Sequence, residues 1–312
     1  MLIPIPKYPV EERHPKPMSD LAIVIVNYNT AALLRDCLTS IYNSQGDMTF
    51  QVIVVDNASS DDSVTMVQSE FPHACLLANS TNDGFAKANN LGLKFAGFSA
   101  DGTPQPYSPR YALLLNPDTV LPPHALADMI RFFDTQPTIG AAGPKLVLPD
   151  GSLDLACRRS FPTPEISFYR MAGLSKLFPQ HPRFGRYNMT YVDPDECIEV
   201  DSVVGAFMMV RREAIAQAGL LDETYFMYGE DLDWAYQIRR HDWQIYYNPA
   251  VVVKHVKRAA SRHSYKAQVE FYRAMEIFYR KYYADDTPLP LHWLVLLGIY
   301  LKWSWVQWRA KK

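Results

Sequence analysis

The stretch YALLLNPDTVL, Tyr111 to Leu121, decides the fold. It begins as an unbroken apolar run, Ala112 to Leu115, and stops at Asn116, Pro117 and Asp118. A short apolar run closed by a turn signal is a strand buried on both faces, as in a parallel sheet. Pro117 fixes its own φ and restricts Asn116, so the strand cannot run on. Asn116 and Asp118 therefore stand at the carboxyl end of a central strand, where open α/β sheets bind ligands. Their hard oxygen atoms suit Mg²⁺ or Mn²⁺, which can bridge to a substrate diphosphate. Taken alone, the tripeptide reads as an ordinary turn. The flanking sequence gives it another meaning.

Upstream, Leu21 to Val26 is a β-branched apolar run ending in Asn27-Tyr28-Asn29-Thr30. Thr30 is placed to cap a helix in which Leu33, Leu34, Cys37, Leu38 and Ile41 recur at helical spacing. Phe50 to Val55 repeats the pattern and ends in Asp56, before a helix that starts near Ser63 and runs to about Phe71. Cys75 to Ala78 is a weaker strand, and a helix from about Ala86 to Phe98 follows the loop Asn79 to Gly84. Strand and helix alternate, which predicts right-handed βαβ units and a mostly parallel sheet. There is no GxGxxG after the first strand and no GxxxxGK[ST], so a dinucleotide dehydrogenase and a P-loop NTPase are disfavoured. Instead Asn27 and Asn29, Asp56, Asn82 and Asp83, and Asn116 and Asp118 end successive strands. Four polar strand ends in a row predict a polar groove along the sheet edge.

Downstream the pattern is mixed. Leu126 to Phe133 reads as a helix, Ile139 to Val147 as a strand, and Arg158 to Asp195 as irregular. Glu199 to Arg211 carries a strand, Arg212 to Ala218 a helix, and Glu230 opens a helix to about Arg240. Trp243 to Pro249 and Ala250 to His255 are strand-like, and Gln268 to Tyr283 is an aromatic-rich helix. In Leu289 to Trp308 the fully apolar core, Trp293 to Leu301, is short of the roughly 20 residues that span a bilayer. Its flanking Trp residues and basic end predict an interfacial anchor rather than a helix docked on the core.

The chain has 312 residues, and 31 basic residues balance 33 acidic ones, so no global charge points to nucleic acid. Its four cysteines form no CxxC pair, which predicts a reducing cytoplasmic setting. No basic segment followed by an apolar one opens the sequence, so a signal peptide is not expected. Residues 1–19 are a Pro-rich charged leader, read as extended or disordered.

Seven motifs in order, VIVNYNT, VVDNASSDDS, NDGFAKANNLG, LLLNPD, GAFMMVRREA, FMYGEDLDWAYQIRRHDW and the later His255, resemble those of family 2 glycosyltransferases. The similarity is to bacterial rhamnosyltransferase-like members and covers Leu21 to about His263. It implies an α/β fold of the GT-A type, a Rossmann-like sandwich with a mostly parallel central sheet, while the C-terminal helical tail beyond it is read as membrane-associated from its own Trp and basic residues. It divides the chain into a nucleotide-sugar half (20–122), an acceptor-binding and catalytic half (123–265) and a helical tail (266–312). Val26, Asn27 and Asn29 would line the base and ribose pocket, and Asp56 would accept from the N3–H of uracil or thymine. Asn82, Gly84, Phe85, Lys87 and Asn89 would meet the donor, with the following helix N-terminus favouring phosphate. Asn116-Pro117-Asp118 takes the place of the family's Asp-x-Asp. Asp118, with Asn116, would hold Mg²⁺ or Mn²⁺, and His255 would be a third ligand or a diphosphate contact. Asn116 is the departure, because a neutral first ligand weakens the charge attraction for the metal. Asp231, with Glu230 beside it and Asp233 as an orienting or reserve carboxylate, would take the proton of the acceptor hydroxyl. Arg258, Arg262 and Lys266 would face a diphosphate or an anionic membrane.

The resulting expectation is an inverting transferase. It moves L-rhamnose from dTDP-rhamnose to a polyprenyl-diphosphate-linked or cell-surface glycan at the inner face of the plasma membrane. A non-catalytic sugar-nucleotide or glycan-binding module is the alternative, favoured by Asn116. A nucleotidyltransferase is opposed by the missing Gly-rich basic loop.

Overall fold

The computed structural model describes residues 19–257 and 265–310. The expected leader and the basic residues Arg258, Arg262 and His263 lie outside them. Three strands form as the apolar runs require: β1 (Leu21–Asn27), β2 (Phe50–Asp56) and β4 (Tyr111–Leu115), with β3 (Cys75–Ala78) at the edge. Between them lie α1 (Ala31–Tyr42), α2 (Ser63–Glu70) and α3 (Phe85–Phe95). Sheet order begins β3-β2-β1-β4, all parallel. Leu21 to Ile25 and Tyr111 to Leu115 are 0–1% exposed. Burying one such side chain stabilises the fold by roughly 1.5–3 kcal/mol, which makes this strip the centre of the core.

The C-terminal half turns the sheet mixed. It adds β5 (Thr119–Val120), α4 (Ala125–Thr135), β6 (Ile139–Val147), α5 (Pro164–Met171), α6 (Leu174–Leu177), β7 (Ile198–Glu199) and β8 (Phe207–Arg211). Then come α7 (Arg212–Ala218), α8 (Glu230–Arg240), β9 (Gln244–His255), α9 (Tyr265–Tyr282) and α10 (Leu289–Ala310). The order continues β4-β8-β6-β9-β5, with β7 on β9; β6 and β9 are parallel and the other new pairings antiparallel. Parallel pairs carry the longest registers, up to Ile139↔Gln244 through Val147↔Lys254.

Three local expectations are corrected. The strand read across Glu199 to Arg211 breaks into β7 and β8, because the backbone between them turns inward and Gly205 N–H donates to Asp231. The two strand-like pieces Trp243 to Pro249 and Ala250 to His255 are one strand, β9, with a register shift opposite Pro144 and Lys145. Thr30 does not cap α1: its hydroxyl donates to Asn27 Oδ1 at 2.6 Å, and the Asp61 carboxylate accepts from Ala31 N at 2.9 Å instead.

The tail is longer than its apolar core suggested. Leu289–Trp308 is long and apolar enough, by length and composition, to cross a membrane, with mean hydropathy 1.2. One side docks: Leu296, Ile299 and Val306 are buried. The other leaves Trp293, Leu294, Leu297, Leu301, Trp305 and Trp308 more than half exposed.

Candidate active site

The donor edge is built from strand ends. Asn27 and Asp56 are register partners at the ends of β1 and β2, both buried. Asn27 Nδ2 donates to Asp56 Oδ1 at 2.8 Å, and Ser59 donates from its hydroxyl to Oδ1 and from its N–H to Oδ2. Three of the roughly four acceptor positions of the Asp56 carboxylate are thus filled within the chain. Asn29, at φ 54°, accepts from Ser60 N and Oγ, so it holds the Ser59–Ser60 turn against β1. Val26 is buried beside them.

The start of α3 is fixed by a close approach. Gly84 has φ +87°, and a Cβ there would fall 2.5 Å from the Phe226 carbonyl oxygen. Phe85 N donates to that same oxygen at 2.6 Å. The close approach that this glycine allows is to the chain's own Phe226 loop. Asn82 Oδ1 accepts from Gly84 N, and Asn57 Nδ2 donates to Gly84 O. Lys87 pairs with Asp83 at 3.0 Å and is half exposed. Asn89 is buried with its Oδ1 unpartnered, while its amide donates to Phe85 O.

The short strand β5 assembles the next cluster. Thr119 pairs with His255 and Val120 with Lys254, and Val256 N donates to Asp118 O. His255 Nε2 therefore lies 3.3 Å from Asp118 Oδ1. Its Nδ1 lies 2.8 Å from Asp154 Oδ2, and Lys257 Nζ lies 2.5 Å from Asp154 Oδ1. Burial opposes charge on the ring, but the hydrogen bonds to Asp118 and Asp154 outweigh it and raise the His255 pKa. Burial likewise opposes ionisation of Asp154, yet His255 and Lys257 hold its carboxyl far below the usual range. Among the described residues no three His, Cys, Asp or Glu side chains gather as a metal cluster. Asp118 and His255 offer two donors, and a carboxylate behind Nδ1 is how metal-ligating histidines are commonly oriented. That set fits a Mg²⁺ or Mn²⁺ ion drawing its other ligands from a substrate diphosphate and water.

At the N-terminus of α8 the two leading carboxylates differ. Asp231 Oδ2 accepts from Arg159 Nη2 at 2.8 Å and from Gly205 N at 2.9 Å, while Oδ1 accepts from Leu232 N. Glu230 Oε2 is buried without a partner, and burial, with the Asp231 charge next to it, raises its pKa to about 8. Asp233 points elsewhere. It is 2% exposed and meets Lys281 at 2.9 Å and the hydroxyls of Tyr282 and Tyr225. Expected as an orienting or reserve carboxylate, it lies outside the cavity that Asp231 lines and ties α9 to α8. Lys266 lies over the Phe226 ring at 4.0 Å.

A cavity of about 360 Å³ gathers Phe85, Asn116, Asp118, Glu230, Asp231 and His255 on one wall system. Arg159, Gly205 and Lys257 also line it. Val26, Asn27, Asn29, Asp56, Asn82, Gly84, Lys87 and Asn89 do not line it. Sequence reasoning missed Arg159, Asp154 and Lys257. Arg159 is separated from Asp231 by 72 positions and Asp154 from His255 by 101, so local spacing held no signal for either pair.

At 27% identity over 88% of both chains, the sequence is similar to the N-acetylglucosaminyl-diphospho-decaprenol L-rhamnosyltransferase of Mycobacterium tuberculosis. It is 25% identical to a low-salt glycan biosynthesis hexosyltransferase of Haloferax volcanii, over 73% of this chain and 64% of that one. The fold resembles a mannosyltransferase from Pyrobaculum calidifontis in complex with GDP-Man and Mn²⁺, with TM-score 0.56 and 18% identity, covering 94% of this chain and 73% of that one. The model described as glycosyltransferase like family 2 matches residues 17–270. The chain belongs to that family: it is a family 2 glycosyltransferase of the GT-A fold, rhamnosyltransferase-like in sequence.

Proposed function

We propose that this enzyme is an inverting, metal-dependent transferase that moves L-rhamnose from dTDP-L-rhamnose to a hydroxyl of a polyprenyl-diphosphate-linked glycan. The observation that carries the reading is the convergence of Asp118, from the turn between β4 and β5, and Asp231, from α8, on one cavity. The sugar and acceptor rest on the relative whose name states both. Residues 20–122 bind the donor and 123–265 the acceptor.

Asp56 offers its remaining acceptor position to the base N3–H, and Asn27, Asn29 and Val26 frame the nucleoside end. Phe226 O takes the Phe85 N–H, so it is the N-terminal turn of α3 beyond Phe85 that turns its partial positive charge toward the diphosphate. Asp118 and His255, with Asn116 beside them, hold the divalent ion, which when bound neutralises charge on the leaving diphosphate. Asp231, steadied by Arg159 and the Gly205 N–H, takes the proton of the acceptor hydroxyl. As that O–H bond breaks, the acceptor oxygen bonds to the anomeric carbon. The carbon's bond to the diphosphate oxygen breaks on the opposite face, and the electron pair leaves with the nucleotide. Glu230 keeps its own proton at neutral pH, so a single negative charge faces the anionic donor from the start of α8. The exposed Trp and Leu face of α10 sits against the cytoplasmic leaflet, where such an acceptor is embedded.

Purified full chain with Mn²⁺ or Mg²⁺ and a panel of dTDP-, UDP- and GDP-sugars tests this. Hydrolysis or transfer with one donor is expected, lost in Asp118→Ala and in Asp231→Asn. Turnover that survives both substitutions refutes the assignment.

A further inference from the structure

The cavity that holds Asp118 and Asp231 does not end at the cleft. Arg170, Tyr187, Tyr228, Gly229, Leu232 and Phe271 line it and also line a second cavity of about 350 Å³. Pro162, Ser167, Met171, Met275, Phe278 and Lys302 line that second cavity and also a third, of about 950 Å³. The third is a groove between α5, α9 and α10, walled by Phe168, Ala172, Leu291, Leu294, Val295 and Trp305 among others. Gly298 sets its depth, because a Cβ there would come within 3.2 Å of Met171. The chemistry of the walls changes along this path. Carboxylates stand at the cleft. Arg170, Lys176 and Lys302 line the middle space. Beyond it the walls are mainly apolar, with Glu165, Ser167 and Lys302 as polar residues among them. Arg170 lies over the Tyr187 ring at 4.2 Å and meets no carboxylate within ion-pair distance among the described residues.

We propose that the groove between α5, α9 and α10 binds the isoprenoid tail of a lipid diphosphate, with Arg170, Lys176 and Lys302 holding its diphosphate and its sugar reaching Asp231. The order of the walls is the order of such a molecule: sugar, dianionic linker, hydrocarbon. Lys and Arg beside an apolar channel recognise a diphosphate by charge, and a concave apolar space of this size is a ligand site rather than a packing flaw. The groove opens along the exposed face of α10, where Leu294, Leu301 and Trp305 are more than half accessible. A tail therefore passes from bilayer to groove without crossing water. This inference rests on the lipid-linked acceptor of the proposed function and assigns it a place.

Binding of geranylgeranyl diphosphate, geranylgeraniol and inorganic diphosphate to the full chain, by equilibrium dialysis, provides the test. Geranylgeranyl diphosphate is expected to bind at least tenfold more tightly than either fragment, because both ends of the site are filled. Lys302→Glu should weaken it about tenfold and leave geranylgeraniol unchanged. Val295→Trp, filling the groove, should weaken both lipids about tenfold, and Ala172→Trp serves as a second filling variant at the exposed rim. No preference over inorganic diphosphate would overturn the proposal. So would unchanged binding in both folded Trp variants, or equal displacement by phosphatidylglycerol vesicles, which would make the groove a seat for bulk membrane lipid. The readout needs no turnover. Absent donor hydrolysis in the parent enzyme would thus refute the proposed reaction, and absent tail binding would refute the groove alone.

Discussion

Replacing Glu230 with Gln tests how charge is distributed at the start of α8. Glu230 is 6% exposed and its Oε2 has no hydrogen-bond partner. Burial first, and the Asp231 carboxylate second, raise its pKa from 4.5 to about 8. Below 4.5 the folded and unfolded chains both hold the proton, and above about 8 both have released it. Between the two the folded chain binds a proton that the unfolded chain has lost, so stability falls as pH rises. At about 1.4 kcal/mol per pH unit, the destabilisation reaches about 3 kcal/mol at neutral pH. Glutamine keeps the neutral shape and does not titrate. Urea unfolding of both proteins across this range should therefore show the variant gaining on the parent by roughly 1 kcal/mol per pH unit. Taking the difference cancels His255 and the other titrations that do not couple to Glu230. Turnover gives the second readout. Glu230→Gln should keep kcat at neutral pH within about threefold and lose the parent's alkaline decline, whereas Asp231→Asn should lose about 10²- to 10⁴-fold. A stability difference that stays flat with pH would refute the raised pKa. Equal losses in kcat for the two variants would make Glu230 the base.

Gly84→Ala places a Cβ 2.5 Å from the Phe226 carbonyl at φ +87°. It should lower stability by about 1–3 kcal/mol and abolish the thermal shift given by nucleotide, whereas an unchanged urea midpoint would mean that the Phe226 loop yields freely. Arg159→Met leaves the Asp231 carboxylate buried without its partner and should cost about 3–5 kcal/mol. Adding Asp231→Asn should restore most of the stability but none of the turnover, as a double-mutant cycle would report. Lys281→Met removes the cation from Asp233 but leaves it the hydroxyls of Tyr282 and Tyr225, for a loss of about 1–3 kcal/mol. Its kcat below the melting range should stay within a few-fold of the parent, and a larger fall would return Asp233 to the chemistry.

The parallel half of the sheet was legible because each strand there is a continuous apolar run that ends in a polar residue. β1 and β4 begin and stop within one residue of that reading, since burial on both faces leaves no polar position to blur the ends. The break between β7 and β8 was not legible. Asp201 to Ala206 looks like strand by composition, but Gly205 N–H is drawn to Asp231, a partner 26 residues later. Thr30 misled for the same reason. A threonine before an apolar helix is the usual cap, yet Asp61 lies across the β1–β2 edge and takes the role.

The site shows where local pattern stops. Asp118 and Asp231 were identifiable because each sits at a strand or helix end whose direction the apolar period fixes. His255 is different: nothing near it in sequence says which way it faces. It reaches Asp118 because β5, two residues long, pairs antiparallel with the last residues of β9, so Thr119 meets His255. In an antiparallel pair a slip of one residue would turn the ring to the other face of the sheet. The register is held from three sides: Val256 N donates to Asp118 O, Asp154 holds the other ring nitrogen, and Lys257 holds Asp154. Asp154 and Lys257 touch no acceptor hydroxyl in the proposed reaction, but they fix which nitrogen faces the cleft. That makes the aim of His255 a property of the β6–β9 end of the sheet, set by residues with no motif around them.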